Sequence, residues 1–171
     1  MITFRPMRPD EFATYSAYFI PEFAADLAAN FGLSPPEATA EATRDLAAHL
    51  PQGPQTPGQD LYCILGAAGG VVGYLWFERQ AANTRAFLMD FHILPPFQGL
   101  GIAAQALAAW ESALSDTGVR DVRLRVSPDN PRALRTYESA GFRVTGLAMA
   151  KPIGPSVRSA QPAPQVTDDP S

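Results

Sequence analysis

The segment 90–103 constrains the fold of this chain more than any other part of the sequence. An apolar run stops at Pro95 and Pro96, Gly99 and Gly101 follow closely, and an alanine- and leucine-rich stretch comes next. Proline ends a strand, glycine permits a tight turn, and alanine and leucine favour a helix. A strand that leads through a turn into a helix is typical of domains that pack helices against a sheet. The segment therefore predicts an α/β fold.

Hydrophobic periodicity and turn residues predict the other elements. Strands are predicted over residues 2–5, 61–65, 71–77, 86–94, 122–126 and 142–151. Helices are predicted from residues 11, 35, 102 and 131, and Pro21 is expected to kink or restart the first of them. A glycine-rich hairpin precedes the segment 90–103, and single strands and helices follow it. We therefore expect one mixed α/β domain over residues 1–151, with the antiparallel part first.

Composition argues against several classes of partner and site. The chain of 171 residues has 13 basic and 17 acidic residues and a net charge of −4. It therefore lacks the basic excess with which proteins bind nucleic acids or anionic membranes. One cysteine, Cys63, and two histidines argue against a disulfide framework and against a metal site.

No segment has the pattern of a targeting signal or of a membrane span. Residues 1–10 carry Arg5 and Arg8 without a following apolar core. The most apolar stretch, residues 63–77, is interrupted by glycines and is shorter than the about 20 residues that cross a bilayer. We therefore expect a cytoplasmic protein. Residues 152–171 are rich in proline and small polar residues, which predicts a flexible tail.

The turn between the strand and the helix has the chemistry of an anion site. The first N–H groups of a helix have no partner within the helix, and they point outward at the positive end of the helix dipole. Such a helix start can cradle a phosphate. Gly99 and Gly101 allow the backbone to approach an anion without an intervening Cβ atom. The loop has no Lys or Arg, so the attraction here would come from backbone dipoles.

Two motifs resemble the GNAT family of N-acetyltransferases. The loop Gln98-Gly99-Leu100-Gly101-Ile102-Ala103 fits the family signature Gln/Arg-x-x-Gly-x-Gly/Ala. A second set fits the pattern Asn-x-x-Ala-x-x-x-Tyr-x-x-x-Gly-Phe, and its members are Asn130, Ala133, Tyr137, Gly141 and Phe142. The resemblance covers residues 2–151 and implies a single-domain mixed sheet with splayed central strands and flanking helices. It also implies an enzyme that transfers the acetyl group of acetyl-CoA to a primary amine by direct attack in a ternary complex. Family members need no metal for this and often form homodimers.

The resemblance further implies which residues bind acetyl-CoA. The glycine loop would hold the pyrophosphate, the strand end would pair with the pantetheine arm, and an asparagine would hydrogen-bond that arm. The residues concerned are His92, Ile93, Leu94, Gln98, Gly99, Leu100, Gly101, Ile102, Ala103, Asn130 and Tyr137. Tyr137 would protonate the departing thiolate, since a tyrosine pKa of about 10 lies above the about 8.5 of a thiol. Arg132 and Arg135 are candidates to meet the outer phosphate of the cofactor.

The residue that accepts the proton of the amine is open among three candidates. Strand alternation puts Asp90 and His92 on one face and Phe91 and Ile93 on the other. The reference pKa of histidine, about 6.5, suits His92 to accept a proton near neutrality. Asp90 would orient His92 or act through a water molecule. Glu78, at the end of the preceding strand, is the third candidate.

Two other functions fit parts of the same sequence. An acyl-CoA-sensing module would keep the cofactor pocket without turnover. A dinucleotide-binding domain is the second alternative, because residues 99–104 fit the Gly-x-Gly-x-x-Gly/Ala fingerprint and Asp121 follows at a suitable distance. That fingerprint requires repeated strand–helix–strand units, whereas a hairpin precedes the motif here. The sequence does not name the amine, although the acidic charge balance favours a cationic one.

Overall fold

The computed structural model describes residues 1–80 and 84–151, and within them five strands and four α-helices. The strands are β1 (Thr3–Pro6), β2 (Gln59–Leu65), β3 (Val71–Gln80), β4 (Arg85–Ile93) and β5 (Asp121–Leu124). The helices are α1 (Phe12–Phe31), α2 (Pro35–His49), α3 (Ile102–Ser115) and α4 (Pro131–Ser139). The tail predicted over residues 152–171 lies outside the described residues.

The strands form one mixed sheet in the order β1-β2-β3-β4-β5. Strands β1 to β4 pair antiparallel, whereas β4 and β5 pair parallel through a crossover that contains α3. This arrangement confirms the predicted mixed α/β fold with its antiparallel part first. It disfavours a dinucleotide-binding domain, because the described residues contain a single parallel pair. The Asp121 carboxylate also already accepts hydrogen bonds from Arg85 and Arg123.

Helices cover both faces of the sheet. On one face, called the α3 face, Leu107 of α3 belongs to the same buried cluster as Phe77 of β3. On the other, called the α1 face, Tyr15 of α1 is buried in a cluster with Trp76 of β3. Burying one such large apolar side chain contributes roughly 1.5–3 kcal/mol. None of the helices in the described residues is both long and apolar enough to cross a membrane.

Helix α1 runs through Pro21 as one element, so the predicted restart does not occur. A proline inside a helix removes one backbone hydrogen bond. Tyr15 on one side of Pro21, and Ala24 and Leu27 on the other, are nevertheless buried. Packing on both sides of the proline therefore holds the two halves in a single helix.

A β-bulge at Met89 decides which face the end of β4 presents. Trp76 of β3 pairs with Asp90, and the next residue of β3 pairs with Leu88, so Met89 has no partner in this register. Leu88 belongs to the cluster on the α3 face. Because side chains alternate along a strand, the extra residue turns Asp90 to the α1 face. Asp90 and His92 share that face, as predicted, and both contact α1.

Strands β4 and β5 separate before β4 ends. Their pairs run from Arg85 with Asp121 to Leu88 with Leu124, and β4 then continues to Ile93 without a partner in β5. The strand predicted over residues 122–126 therefore ends early. The expected splaying of the central strands is present, and it opens a space beside residues 90–93 that we call the strand gap.

The strand predicted over residues 142–151 is absent, since the structure shows no sheet pairing in that segment. Val144, Leu147 and Met149 are 58%, 86% and 95% exposed. Val144, before Gly146, lies at an even position, whereas Leu147 and Met149, after it, lie at odd positions. No single register would therefore bury all three side chains on one face of the sheet.

Candidate active site

One residue at the end of β4, Ile93, points its backbone N–H and C=O into the strand gap. The Leu94 N–H donates to the Val72 carbonyl of β3 at 2.9 Å. Because the backbone groups of successive residues alternate between the two sides of a strand, Ile93 directs its own N–H and C=O towards the gap. Three residues were expected to pair with pantetheine. Of these, Ile93 faces the gap, whereas the N–H groups of His92 and Leu94 face β3.

The loop after β4 adopts a backbone that favours glycine. Gly99 and Gly101 have φ of +78° and +75°, a left-handed conformation that costs other residues about 1–2 kcal/mol. A Cβ atom at Gly99 would meet nothing within 4 Å, so conformation rather than crowding requires glycine there. The Gln105 N–H donates to the Gly101 carbonyl as the first hydrogen bond of α3. The N–H groups of residues 102–104 consequently have no acceptor within the helix, which is the geometry of an anion cradle.

A relay of two side chains joins β4, the loop and α4. Gln98 Nε2 donates to the Ile93 carbonyl at 2.7 Å, and Arg132 Nη1 donates to Gln98 Oε1 at 2.8 Å. The loop has no basic residue of its own, so Arg132 brings a guanidinium to it from α4. Arg135, one turn further along α4, makes no such contact with the loop in the described residues.

Gly73 allows β3 and β4 to approach each other closely beside the site. Gly73 pairs with Ile93, and a Cβ atom on Gly73 would overlap the carbonyl oxygen of His92. A backbone oxygen in a strand ladder cannot move aside without disturbing the ladder. Any larger residue at position 73 would therefore displace the end of β4.

Helix α4 carries the asparagine and the tyrosine of the second motif. Asn130 caps the helix, since its Oδ1 accepts from the Ala133 N–H at 3.0 Å, and its amide NH₂ remains a donor. Tyr137 is partly buried, with its ring edge-on to Phe142 at a centroid distance of 5.7 Å. Burial, and then the charge of Asp90, raise the pKa of Tyr137 well above its ordinary value. Its phenol therefore stays protonated at neutral pH.

Asp90 lies between two tyrosines of α1. Tyr15 Oη donates to Asp90 Oδ2 at 3.0 Å, and Tyr18 Oη donates to Asp90 Oδ1 at 3.2 Å. Burial raises the pKa of Asp90 from 3.8 to about 6, and the two hydrogen bonds act in the opposite direction. The sequence analysis named Asp90 as a candidate but did not name either tyrosine. The available signal is a pair of phenols three residues apart in an otherwise apolar helical stripe.

His92 lies against the same helix. Its ring stacks on Tyr18 with centroids 3.8 Å apart, and burial lowers its pKa from 6.5. No hydrogen bond joins Asp90 and His92 in the described part of the chain, so Asp90 does not orient the imidazole directly. Glu78 pairs with Phe87, nearer the other end of β4. The structure therefore brings two of the three candidate bases together and leaves Glu78 apart.

Comparison with known proteins agrees with this geometry. The model of the acetyltransferase (GNAT) family matches residues 24–142. The chain belongs to the GNAT family. YycN of Bacillus subtilis, an uncharacterized N-acetyltransferase, is 31% identical to this GNAT protein over 154 residues, which cover 89% of this chain and 99% of the relative.

Solved structures of the GNAT family extend the comparison. The crystal structure of YycN from Bacillus subtilis has a TM-score of 0.84 at 30% identity and covers 90% of this chain and 99% of that chain. The spermidine N-acetyltransferase from Vibrio cholerae, in complex with CoA and spermine, has a TM-score of 0.59 at 18% identity. It covers 85% of this chain and 82% of that chain, and at this identity it shows the fold alone.

Proposed function

We propose that this GNAT protein transfers the acetyl group of acetyl-CoA to a primary amine. The end of β4 carries the proposal, because three kinds of chemical group are linked to it: Asp90 lies on it beside the strand gap, the loop that follows it leads into the cradle before α3, and the charge of Asp90 acts on Tyr137. The cradle before α3 would take an anion, Tyr137 is a protonated acid, and Asp90 is an ionisable carboxylate. A thioester donor with a diphosphate and an amine acceptor would use all three.

Acetyl-CoA would be held along the strand gap. The N–H groups of residues 102–104 would bind the pyrophosphate, and Arg132 would add the positive charge that the loop lacks. The backbone of Ile93 and the free amide donors of Asn130 would hydrogen-bond the pantetheine arm. Gln98 now bonds the Ile93 carbonyl, so it would share or release that group when the arm binds.

The transfer needs one acid and one base. The amine nitrogen attacks the thioester carbon, a C–N bond forms, the C–S bond breaks, and the sulfur leaves as a thiolate. Tyr137 donates its phenol proton to that thiolate, while Asp90 or His92 accepts the proton that the nitrogen releases. With a pKa of about 6, Asp90 is a stronger base than an ordinary aspartate and is still ionised at neutral pH. Holding both reactants in one ternary complex supplies the orientation.

The charges around the site favour a cationic acceptor. Asp90 lies on the α1 face beside the gap, and the charge of Glu22 on α1 acts on both Asp90 and Tyr18. The net charge of the chain is −4, which attracts cations at long range. The Vibrio cholerae relative in fold is named for spermidine, which is a polyamine. Polyamines, aminoglycosides and peptide amines are therefore the acceptors to try first.

The test is release of the CoA thiol from acetyl-CoA in the presence of a panel of these amines. We expect turnover with at least one amine, and Tyr137→Phe should lower kcat by about 100-fold while CoA affinity stays nearly constant. Tyr62→Phe is the matched control, since Tyr62 stacks on Phe77 on the α3 face and should leave both quantities unchanged.

Two results would change the assignment. Tight binding of CoA without thiol release from any amine would indicate an acyl-CoA-sensing module in place of an enzyme. An unchanged kcat in Tyr137→Phe would remove the acid role of Tyr137 while leaving the transferase activity in place.

A further inference from the structure

Tyr18 contacts both side chains that compete for the role of base. Its hydroxyl donates to Asp90 Oδ1 at 3.2 Å, and its ring lies 3.8 Å from the ring of His92 at an interplanar angle of 29°. The two contacts use different parts of one side chain. No other residue in the described part of the chain makes both of them.

The Asp90 carboxylate is held by two phenols that differ in their other contacts. Tyr15 is 0% exposed and donates to Oδ2, while Tyr18 donates to Oδ1. Because each phenol bonds a different oxygen, the pair fixes the plane of the carboxylate. Tyr18 alone extends to His92, so Tyr15 provides a natural control.

The ring of Tyr18 also covers a cross-strand pair. Tyr74 of β3 and His92 of β4 are register partners. The Tyr18 ring is inclined by 27° to Tyr74 and by 29° to His92, with centroid distances of 6.0 Å and 3.8 Å. This packing keeps water from one face of the imidazole and restricts the rotation of its ring.

We infer that Tyr18 is a positioning residue of the acetyl-transfer site, which holds the Asp90 carboxylate with its hydroxyl and the His92 imidazole with its ring beside the strand gap. The inference rests on the proposed function, because these are the groups that would accept the proton of the amine. It makes α1 part of the site, although neither sequence motif includes α1. The ionisable groups that face Asp90 and His92 from the packed elements are Tyr15, Tyr18 and Glu22 of α1, Tyr74 of β3 and Tyr137 of α4.

Three variants separate the hydroxyl from the ring. Tyr18→Phe removes the hydroxyl alone, Tyr18→Leu removes the hydroxyl and the ring, and Tyr15→Phe removes the matched hydroxyl on Asp90. Two measurements are made on each variant, namely the pH dependence of kcat/KM and an NMR titration of the imidazole. The chain has two histidines, so a His49→Gln background leaves one imidazole signal to follow.

Each variant has its own expected result. Tyr18→Phe and Tyr15→Phe move the acidic limb of kcat/KM to higher pH, because a carboxylate that loses a hydrogen bond has a higher pKa. Neither of them changes the imidazole titration. Tyr18→Leu moves the acidic limb in the same direction. It also raises the pKa of His92 towards 6.5, because the ring no longer covers the imidazole. Its kcat should be about tenfold lower than that of Tyr18→Phe, because the imidazole is no longer held in place.

The two measurements separate failure of this inference from failure of the proposed function. A folded Tyr18→Leu protein with an unchanged imidazole titration overturns the inference, whatever its activity. The inference is also overturned if the acidic limb of the kcat/KM profile moves in Tyr15→Phe but stays in place in Tyr18→Phe. This second test remains available if Tyr18→Leu does not fold, because Tyr18→Phe keeps the ring. An imidazole titration that moves as expected, in a protein that transfers acetyl to no amine, supports the contact and overturns the proposed function.

Discussion

The proposed site has a cofactor half and a proton-transfer half, and the two are built from different kinds of contact. The cofactor half consists mainly of backbone groups between Ile93 and Gln105, and most of its geometry comes from the left-handed Gly99 and Gly101. The proton-transfer half joins β4 to α1 through Asp90 and Tyr15, which lie 75 residues apart in the chain. A short segment can therefore carry its own anion site, whereas a positioned carboxylate requires the surrounding fold.

The halves also differ in their electrostatics. The cradle offers N–H groups at a helix start, where the field comes from backbone dipoles. The proton-transfer half places ionisable side chains in buried or partly buried positions, and burial is the largest cause of each of their pKa shifts. The shifted groups are Tyr15, Tyr18, Asp90, His92 and Tyr137. Such clusters are typical of catalytic sites, so the proton-transfer half should respond most to substitution.

Asp90→Asn should give the largest effect on activity, because it removes the ionisable carboxylate of the proton-transfer half and leaves the cofactor half unchanged. We expect kcat to fall by about 100-fold, with CoA affinity unchanged. The ionised fraction of Asp90 rises with pH through about 6, so wild-type activity should rise there and the variant should lack that rise. The kinetics are measured between about pH 5 and 8, with CoA binding measured by calorimetry.

Stability gives an independent readout of the same substitution. The folded protein favours the neutral acid, because burial raises the pKa of Asp90 from 3.8 to about 6. The wild-type free energy of unfolding should therefore fall as pH rises between these two values, and Asp90→Asn should not show this component. Asp116→Asn serves as the control, because Asp116 is an exposed aspartate at the C-terminal end of α3.

If Asp90→Asn instead retains the wild-type kcat and the acidic limb of the pH profile, His92 is assigned as the residue that accepts the proton.

Gly101→Ala should give an intermediate effect, confined to the cofactor half. Gly101 and Gly69 have nearly equal φ, +75° and +79°, so an alanine at either position meets a similar strain of about 1–2 kcal/mol. Both variants should lose a similar amount of thermal stability. The loop at Gly101 would relieve its strain by turning its N–H groups, so CoA affinity should fall about tenfold there alone. If the two variants bind CoA with equal affinity, the cradle is not part of the cofactor site.

The same contrast explains how much of the site could be predicted from sequence. Gly101 acts within one turn of backbone, so its role as a loop glycine followed from a local rule. The splayed sheet followed from the resemblance of two motifs to a family. Tyr18 could not be assigned in this way, because an aromatic stripe on a helix predicts packing whether or not a hydroxyl meets a distant carboxylate.

The β-bulge at Met89 marks a second limit of the sequence. Alternation placed Asp90 and His92 together, but it could not say which face they occupy, because one unpaired residue reverses the answer for the rest of the strand. The prediction of a strand over residues 142–151 was wrong for a related reason. Its apolar residues suggested a strand, but the Val144 side chain falls out of phase with Leu147 and Met149, and all three are exposed.

Arg132→Gln should give the smallest effect, and it tests whether the contrast between the halves is complete. The bond from Arg132 to Gln98 spans 34 residues and is a long-range contact of the cofactor half. Arg132 is exposed, and solvent weakens an exposed charge, so we expect CoA affinity to fall only about three- to fivefold. The salt dependence of that affinity should fall with it, because screening acts on the charge that was removed. Arg135→Gln removes an equal charge one turn away. If it weakens CoA binding as much as Arg132→Gln does, the effect belongs to the net charge of α4, and the cofactor half depends on its own segment alone.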